Sequence, residues 1–64
     1  MIEQYLMEIL SKLDVDMFTE KRQGQDAYTV RLWDQGETVI TVTRFGLVEA
    51  VKVAAEYARG RGDD

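Results

Sequence analysis

The apolar residues of this chain change their period twice, and that double change restricts the fold to a short list. Ile2, Tyr5, Leu6, Ile9, Leu10 and Leu13 recur at three- and four-residue steps, the stripe of a half-buried helix. Tyr28 to Trp33 and Thr38 to Thr43 are instead β-branched or aromatic segments. Leu47, Ala50, Val51, Ala54, Ala55 and Ala58 return to the helical step. With 64 residues and no cysteine, the chain must close its core without disulfides, and a domain of this size buries only about 60% of its unfolded surface. The expectation is one domain over residues 1–64, of class α+β. Its order is α-β-β-β-α, a three-stranded antiparallel sheet with two helices packed on one face.

The first helix is placed at residues 2–13, with Glu3, Gln4, Glu8, Ser11 and Lys12 on its polar side. Asp14, Val15 and Asp16 break the period, and Met17 to Arg22 read as a short first strand whose contribution to the core is Phe18. Gln23 to Asp26 form a polar turn around Gly24. The two later strands flank Asp34, Gln35 and Gly36 and read as a hairpin in one of two registers. A two-residue loop at Gln35 and Gly36 puts Val30 opposite Thr41 and Leu32 opposite Val39. A three-residue loop with Gly36 in a G1 bulge pairs Tyr28 with Val42, Val30 with Ile40 and Leu32 with Thr38. The second is preferred because it unites the apolar side chains. It leaves Thr29, Arg31, Trp33, Val39 and Thr41 on the opposite face. The last helix spans Gly46 to Arg59, with Gly46 as N-cap, Glu49 three residues on and Gly60 as its stop. Residues 60–64 are expected to fray.

Twelve acidic against eight basic side chains give a net charge of −4. Residues 1–16 hold Glu3, Glu8, Asp14 and Asp16 against Lys12 alone. Such a field repels phosphates at long range and favours basic partners. No apolar run reaches the roughly 18 residues of a membrane span. An acidic amphipathic start is unlike a signal or transit peptide, so a cytoplasmic protein is expected.

The sequence has no histidine and no cysteine. Imidazole base catalysis, thiolate chemistry and the usual zinc sites are thereby excluded. Ser11, Tyr5, Tyr28 and Tyr57 have no recognisable base or oxyanion partner. Asp14, Asp16 and Glu20 lack the spacing of a calcium loop. No enzyme activity, cofactor or metal is expected. The candidate sites are instead surfaces. Trp33, Arg31, Val39 and Thr41 form an interface centre on the sheet face away from the helices, since Trp and Arg dominate hot spots; the competing reading has Trp33 fold over the sheet edge or pack on Arg31. Glu3, Glu8, Asp14 and Asp16 steer a basic partner, against a reading as solvated helix and turn acids. Lys21, Arg22 and Arg44 are the nucleic-acid candidates, against a reading as scattered charges that maintain solubility. Arg61-Gly62-Asp63 matches an adhesion tripeptide by letter alone.

Helix, three-stranded meander and Ala-rich helix, with Glu49-Ala50 followed by Ala54-Ala55, resemble the double-stranded-RNA-binding domains over nearly the whole chain. The resemblance implies that fold. It does not carry the family's contacts across: Leu47, Val48 and Val51 stand where phosphate-binding lysines belong, Gln23-Gly24-Gln25-Asp26 lacks the proline and histidine of the groove-entering loop, and the first helix is acidic. The same order is similar to small acidic phage anti-CRISPR inhibitors of Cas9, a likeness that implies a protein partner with a basic nucleic-acid-binding surface. Tyr28 to Tyr57 is similar to HicB-type antitoxin domains. The expected function is a non-enzymatic protein-binding module, an inhibitor or regulator from a phage or mobile element, with self-association through the open sheet face as a further reading. The alternative is a nucleic-acid-binding regulator or an antitoxin-like domain.

Overall fold

The computed structural model describes residues 2–62, with side chains through Gly60. Its elements are α1 (Ile2–Leu10), β1 (Asp14–Arg22), β2 (Gln25–Asp34), β3 (Glu37–Arg44) and α2 (Leu47–Gly62). The sheet is an antiparallel meander in the order β1-β2-β3, and the class and order are those expected.

α1 stops three residues short of the expected end because its last turn tightens. The Lys12 amide donates to the Ile9 carbonyl at 3.0 Å, three residues back, while that of Leu13 donates to the same oxygen at 2.8 Å. Leu13 is thereby kept in the core, whereas Leu10 is 58% exposed, against its place in the expected stripe. β1 begins at Asp14 rather than Met17, so the residues that break the helical period already belong to the sheet. α2 begins after Gly46, whose carbonyl accepts the Ala50 amide at 3.0 Å in the expected capping position. The helix passes through Gly60 to Gly62 and does not stop at Gly60. The expected fray at residues 60–64 therefore fails for 60–62, and positions 63 and 64, including the aspartate of the Arg61-Gly62-Asp63 triplet, lie outside the described residues.

Both hairpins turn on the same dipeptide. Gln23 and Gly24 have φ of 54° and 78°, and Gln35 and Gly36 have φ of 55° and 83°. Two successive positive φ values define the type I′ turn, whose twist matches that of the flanking strands. The second hairpin thus has a two-residue loop, not the expected three-residue one. Asp34 pairs with Glu37 and Trp33 with Thr38; the register then shifts, so that Leu32 pairs with Ile40, Arg31 with Thr41 and Val30 with Val42. Each expected pair is displaced by two residues. The apolar side chains are still united, but by a bulge at Val39 further along the strand. One extra residue on β3 changes which face the following side chains occupy, and brings Ile40 and Val42 into phase with Leu32 and Val30.

The core consists of Ile9, Leu13, Val30, Leu32, Val42, Ala50, Val51, Ala54, Ala55 and Ala58. Four alanines on α2 let that helix lie close over β2 and β3. Leu47, expected in the same stripe, is 37% exposed at the helix start. The helical layer covers the sheet unevenly. α2 packs on β2 and β3, α1 packs chiefly on α2, and β1 is exposed at every position except the half-buried Val15.

Candidate functional site

β1 pairs with β2 without interruption from Asp14↔Trp33 to Arg22↔Gln25. This register puts Asp14, Asp16, Phe18 and Glu20 on the same face as Thr29, Arg31 and Trp33, because directly opposed residues share a face. On β3 the same face receives Thr41 and Thr43. Val30, Leu32 and Val42 point the other way, into the core.

Arg31 occupies the middle of this open face. Its guanidinium carbon lies 4.6 Å from the Trp33 ring centroid and 5.7 Å from that of Phe18. Its Nη2 donates to Asp16 Oδ2 across the strand at 3.3 Å. The Nε of Arg31 is buried and has no hydrogen-bond acceptor among the described residues. The cation therefore leans on two ring faces and one carboxylate. A contact of this kind contributes about 0.5–1 kcal/mol at a partly exposed site. Below it, Thr29 is a buried polar side chain. The Thr29 hydroxyl donates to Glu20 Oε1 at 3.3 Å, and its oxygen lies 3.0 Å from Thr43 Oγ1. With its own proton committed to Glu20, Thr29 accepts from Thr43. The relay crosses all three strands and ends at a carboxylate that also accepts from Arg22 Nη2 at 3.5 Å.

Of the candidate interface centre, Trp33, Arg31 and Thr41 share this face. Val39 does not: as the bulge residue it packs against the core cluster. Phe18 takes its place. Expected in the core, it is 46% exposed on the open face. The signal was present in the sequence, since Phe18 falls in the alternation of Asp14, Asp16, Glu20 and Arg22 and out of phase with Val15 and Met17.

The acidic candidates do not form one surface. Asp14 and Asp16 lie on the open face beside Trp33 and Arg31. Glu3 is in the first turn of α1. Glu8 belongs to the helix layer, where its two carboxylate oxygens accept from Arg59 Nε at 2.7 Å and Nη2 at 2.9 Å. Those hydrogen bonds hold the Glu8 carboxyl below its ordinary value of 4.5 and push Arg59 up in turn.

The basic candidates are dispersed. Lys21 Nζ lies 2.9 Å from Asp26 Oδ1 across the first hairpin, Arg22 is turned to Glu20, and the Arg44 guanidinium donates to the Thr43 carbonyl at 2.8 Å. The register places Lys21 and Arg44 on the helix side of the sheet and Arg22 on the open side. No group of three acidic side chains placed to hold a metal ion exists among the described residues. Among the same residues no helix is long and apolar enough to cross a membrane. No family model, curated protein or solved structure matches the chain.

Proposed function

We propose that this chain is a non-enzymatic protein-binding module that inhibits or regulates its partner by covering part of the partner's surface. The observation that carries this reading is the open sheet face, where Trp33, Phe18 and Arg31 stack in a layer that neither helix covers. Large rings and an arginine held in a fixed arrangement lose little freedom on binding, which is why such residues concentrate affinity. Asp14, Asp16 and Glu20 border the rings, so the complementary surface has an apolar centre and a basic rim. A basic nucleic-acid channel has that chemistry. The likeness to anti-CRISPR inhibitors makes a Cas9-type nuclease the first partner to examine.

The test is a binding titration against purified Cas9 with wild type and with Trp33→Ala, beside a gel shift on duplex RNA and DNA at low salt. Expected are a complex with the nuclease that weakens at least tenfold on Trp33→Ala, and no shift of either duplex. A shift that is lost on Arg44→Glu supports the nucleic-acid-binding regulator instead. If the nuclease does not bind, captures from phage-host lysates with wild type and Trp33→Ala are compared. A set of captured proteins that is identical for the two removes the open face from the function.

A further inference from the structure

Both edges of a three-stranded sheet carry outward backbone groups, and the two edges of this one differ. β3 is interrupted by the bulge at Val39 and lies under α2. β1 runs for nine residues with no register shift and no proline, and is bare along nearly all its length. Regular uncovered edges invite another strand, and natural sheets usually blunt them with bulges, proline or charge. On β1 the central residue Phe18 and its neighbour Met17 are apolar and each 46% exposed, one on either side of the sheet. Beside them is a shallow apolar groove of about 320 Å³, lined by Met17, Phe18, Thr19, Tyr28, Thr29 and Leu47.

The hairpin turn determines which backbone groups face outward. In a two-residue type I′ hairpin the residues flanking the loop, here Arg22 and Gln25, exchange both hydrogen bonds, and every second pair after them does the same. Glu20, Phe18, Asp16 and Asp14 thus use their amides and carbonyls on β2. Val15, Met17, Thr19 and Lys21 direct theirs to the free edge.

We infer that two copies of this chain pair through β1, antiparallel about a two-fold axis at Phe18, to make one continuous six-stranded sheet. Phe18 is the midpoint of Asp14–Arg22, so this axis pairs all nine residues. It also sets outward groups against outward groups, Met17 opposite Thr19 and Val15 opposite Lys21 of the second copy, as a ladder requires. The two Phe18 rings meet on the open face. At each end Asp14 stands opposite Arg22 of the second copy, opposite charges at a separation where cross-strand pairs attract. The like-charged juxtaposition, Asp16 with Glu20 of the second copy, is offset within each chain: Asp16 is held by Arg31 at 3.3 Å and Glu20 by Arg22 at 3.5 Å. An axis normal to the sheet keeps both helix layers on one side. The two open faces join into one surface, a platform twice as wide as the one already described.

The test measures the mass of the full chain by sedimentation equilibrium and needs no partner, so it stands or falls separately from the binding function. Thr19→Pro removes one outward N–H and leaves the β1–β2 ladder untouched, the setting in which an edge strand accepts proline. Wild type should have twice the mass of one chain, and Thr19→Pro half of that with an unchanged far-ultraviolet circular dichroism spectrum. A wild-type chain that is monomeric at its highest soluble concentration overturns the pairing. So does a dimer that survives Thr19→Pro, or one abolished by Trp33→Ala alone, which would meet through the open faces. Should Thr19→Pro unfold, the charge variants decide. Asp14→Arg and Arg22→Asp should each be monomeric alone, and an equimolar mixture of the two should recover the dimer, because only antiparallel pairing sets position 14 against position 22. A mixture that stays monomeric overturns the proposal.

Discussion

Arg31 sits on the central strand with a ring on either side and a carboxylate across the ladder, and most of the open face is organised around it. Its planar guanidinium can lie on a ring and still donate in its own plane, which a lysine ammonium cannot do. In a double-mutant cycle of Arg31→Ala with Trp33→Ala, urea titrations should give a coupling of roughly 0.5–1 kcal/mol. A coupling of zero would mean that the ring and the cation merely adjoin. Thr29 makes a second prediction at this scale. Thr29→Val keeps the shape but takes this hydrogen-bond partner from the half-buried Thr43 and from the exposed Glu20. The expected loss is about 1 kcal/mol, read as a lower urea midpoint at unchanged slope. An unaltered midpoint would show that the relay contributes nothing to stability.

The elements are organised by their turns. Gln-Gly occurs at both hairpins, with glutamine in the left-handed region where a side chain longer than asparagine's gains no local hydrogen bond. A Cβ built on Gly24 or Gly36 would meet nothing within 4 Å. Glycine is required at those sites by backbone conformation, not by space. Gly36→Ala should therefore cost about 1–2 kcal/mol, whereas Gln35→Asn should stabilise by roughly 0.5 kcal/mol, since asparagine is several-fold enriched in this region. Thermal melts of the two variants should move in opposite directions; a shift of the same sign in both would count against the turn assignment. The turn also explains the misplaced register. A two-residue loop alone would turn Ile40 and Val42 away from the core, and the bulge at Val39 corrects that.

At the scale of the whole molecule, the chain is closed by its two ends. Glu8 and Arg59, 51 residues apart in sequence, make a two-point contact between α1 and α2. The Glu8 carboxyl is depressed by the hydrogen bonds from Arg59. A carboxylate with a folded value below its unfolded one contributes fully above the unfolded value, near 4.5, and loses that contribution as pH falls through the folded value. Arg59 remains charged throughout. Wild type should accordingly melt above Glu8→Gln at neutral pH, and the gap should close as pH falls below 4.5. A gap independent of pH would assign the effect to packing. The same scale shows where the fold is bare: α2 lies over β2 and β3, α1 packs beside it and reaches only the start of the sheet's β1 edge, and β1 is exposed beyond Val15.

The residues by themselves determined the class, the order of elements and most of the core, because those depend on periodicity and local propensity. A stripe such as Ala50, Val51, Ala54, Ala55 and Ala58 reads the same in any helix that packs on a sheet. The helical phase of Ile9 and Leu13 was equally legible, as was the assignment of Trp33, Arg31 and Thr41 to one face. Relations between strands were not. A bulge at Val39 depends on which of two loop lengths gives the better total packing, and the local sequence supports both. The pairing of Asp16 with Arg31 and of Glu8 with Arg59 depends on where separate elements come to rest. Phe18 lies between the two cases: alternation with its neighbours puts it on the charged face, but hydrophobicity alone argues for the core. Only the tertiary structure decides that conflict, because the register sets Phe18 opposite Thr29 on the sheet face that neither helix covers, away from the core of Val30, Leu32 and Val42.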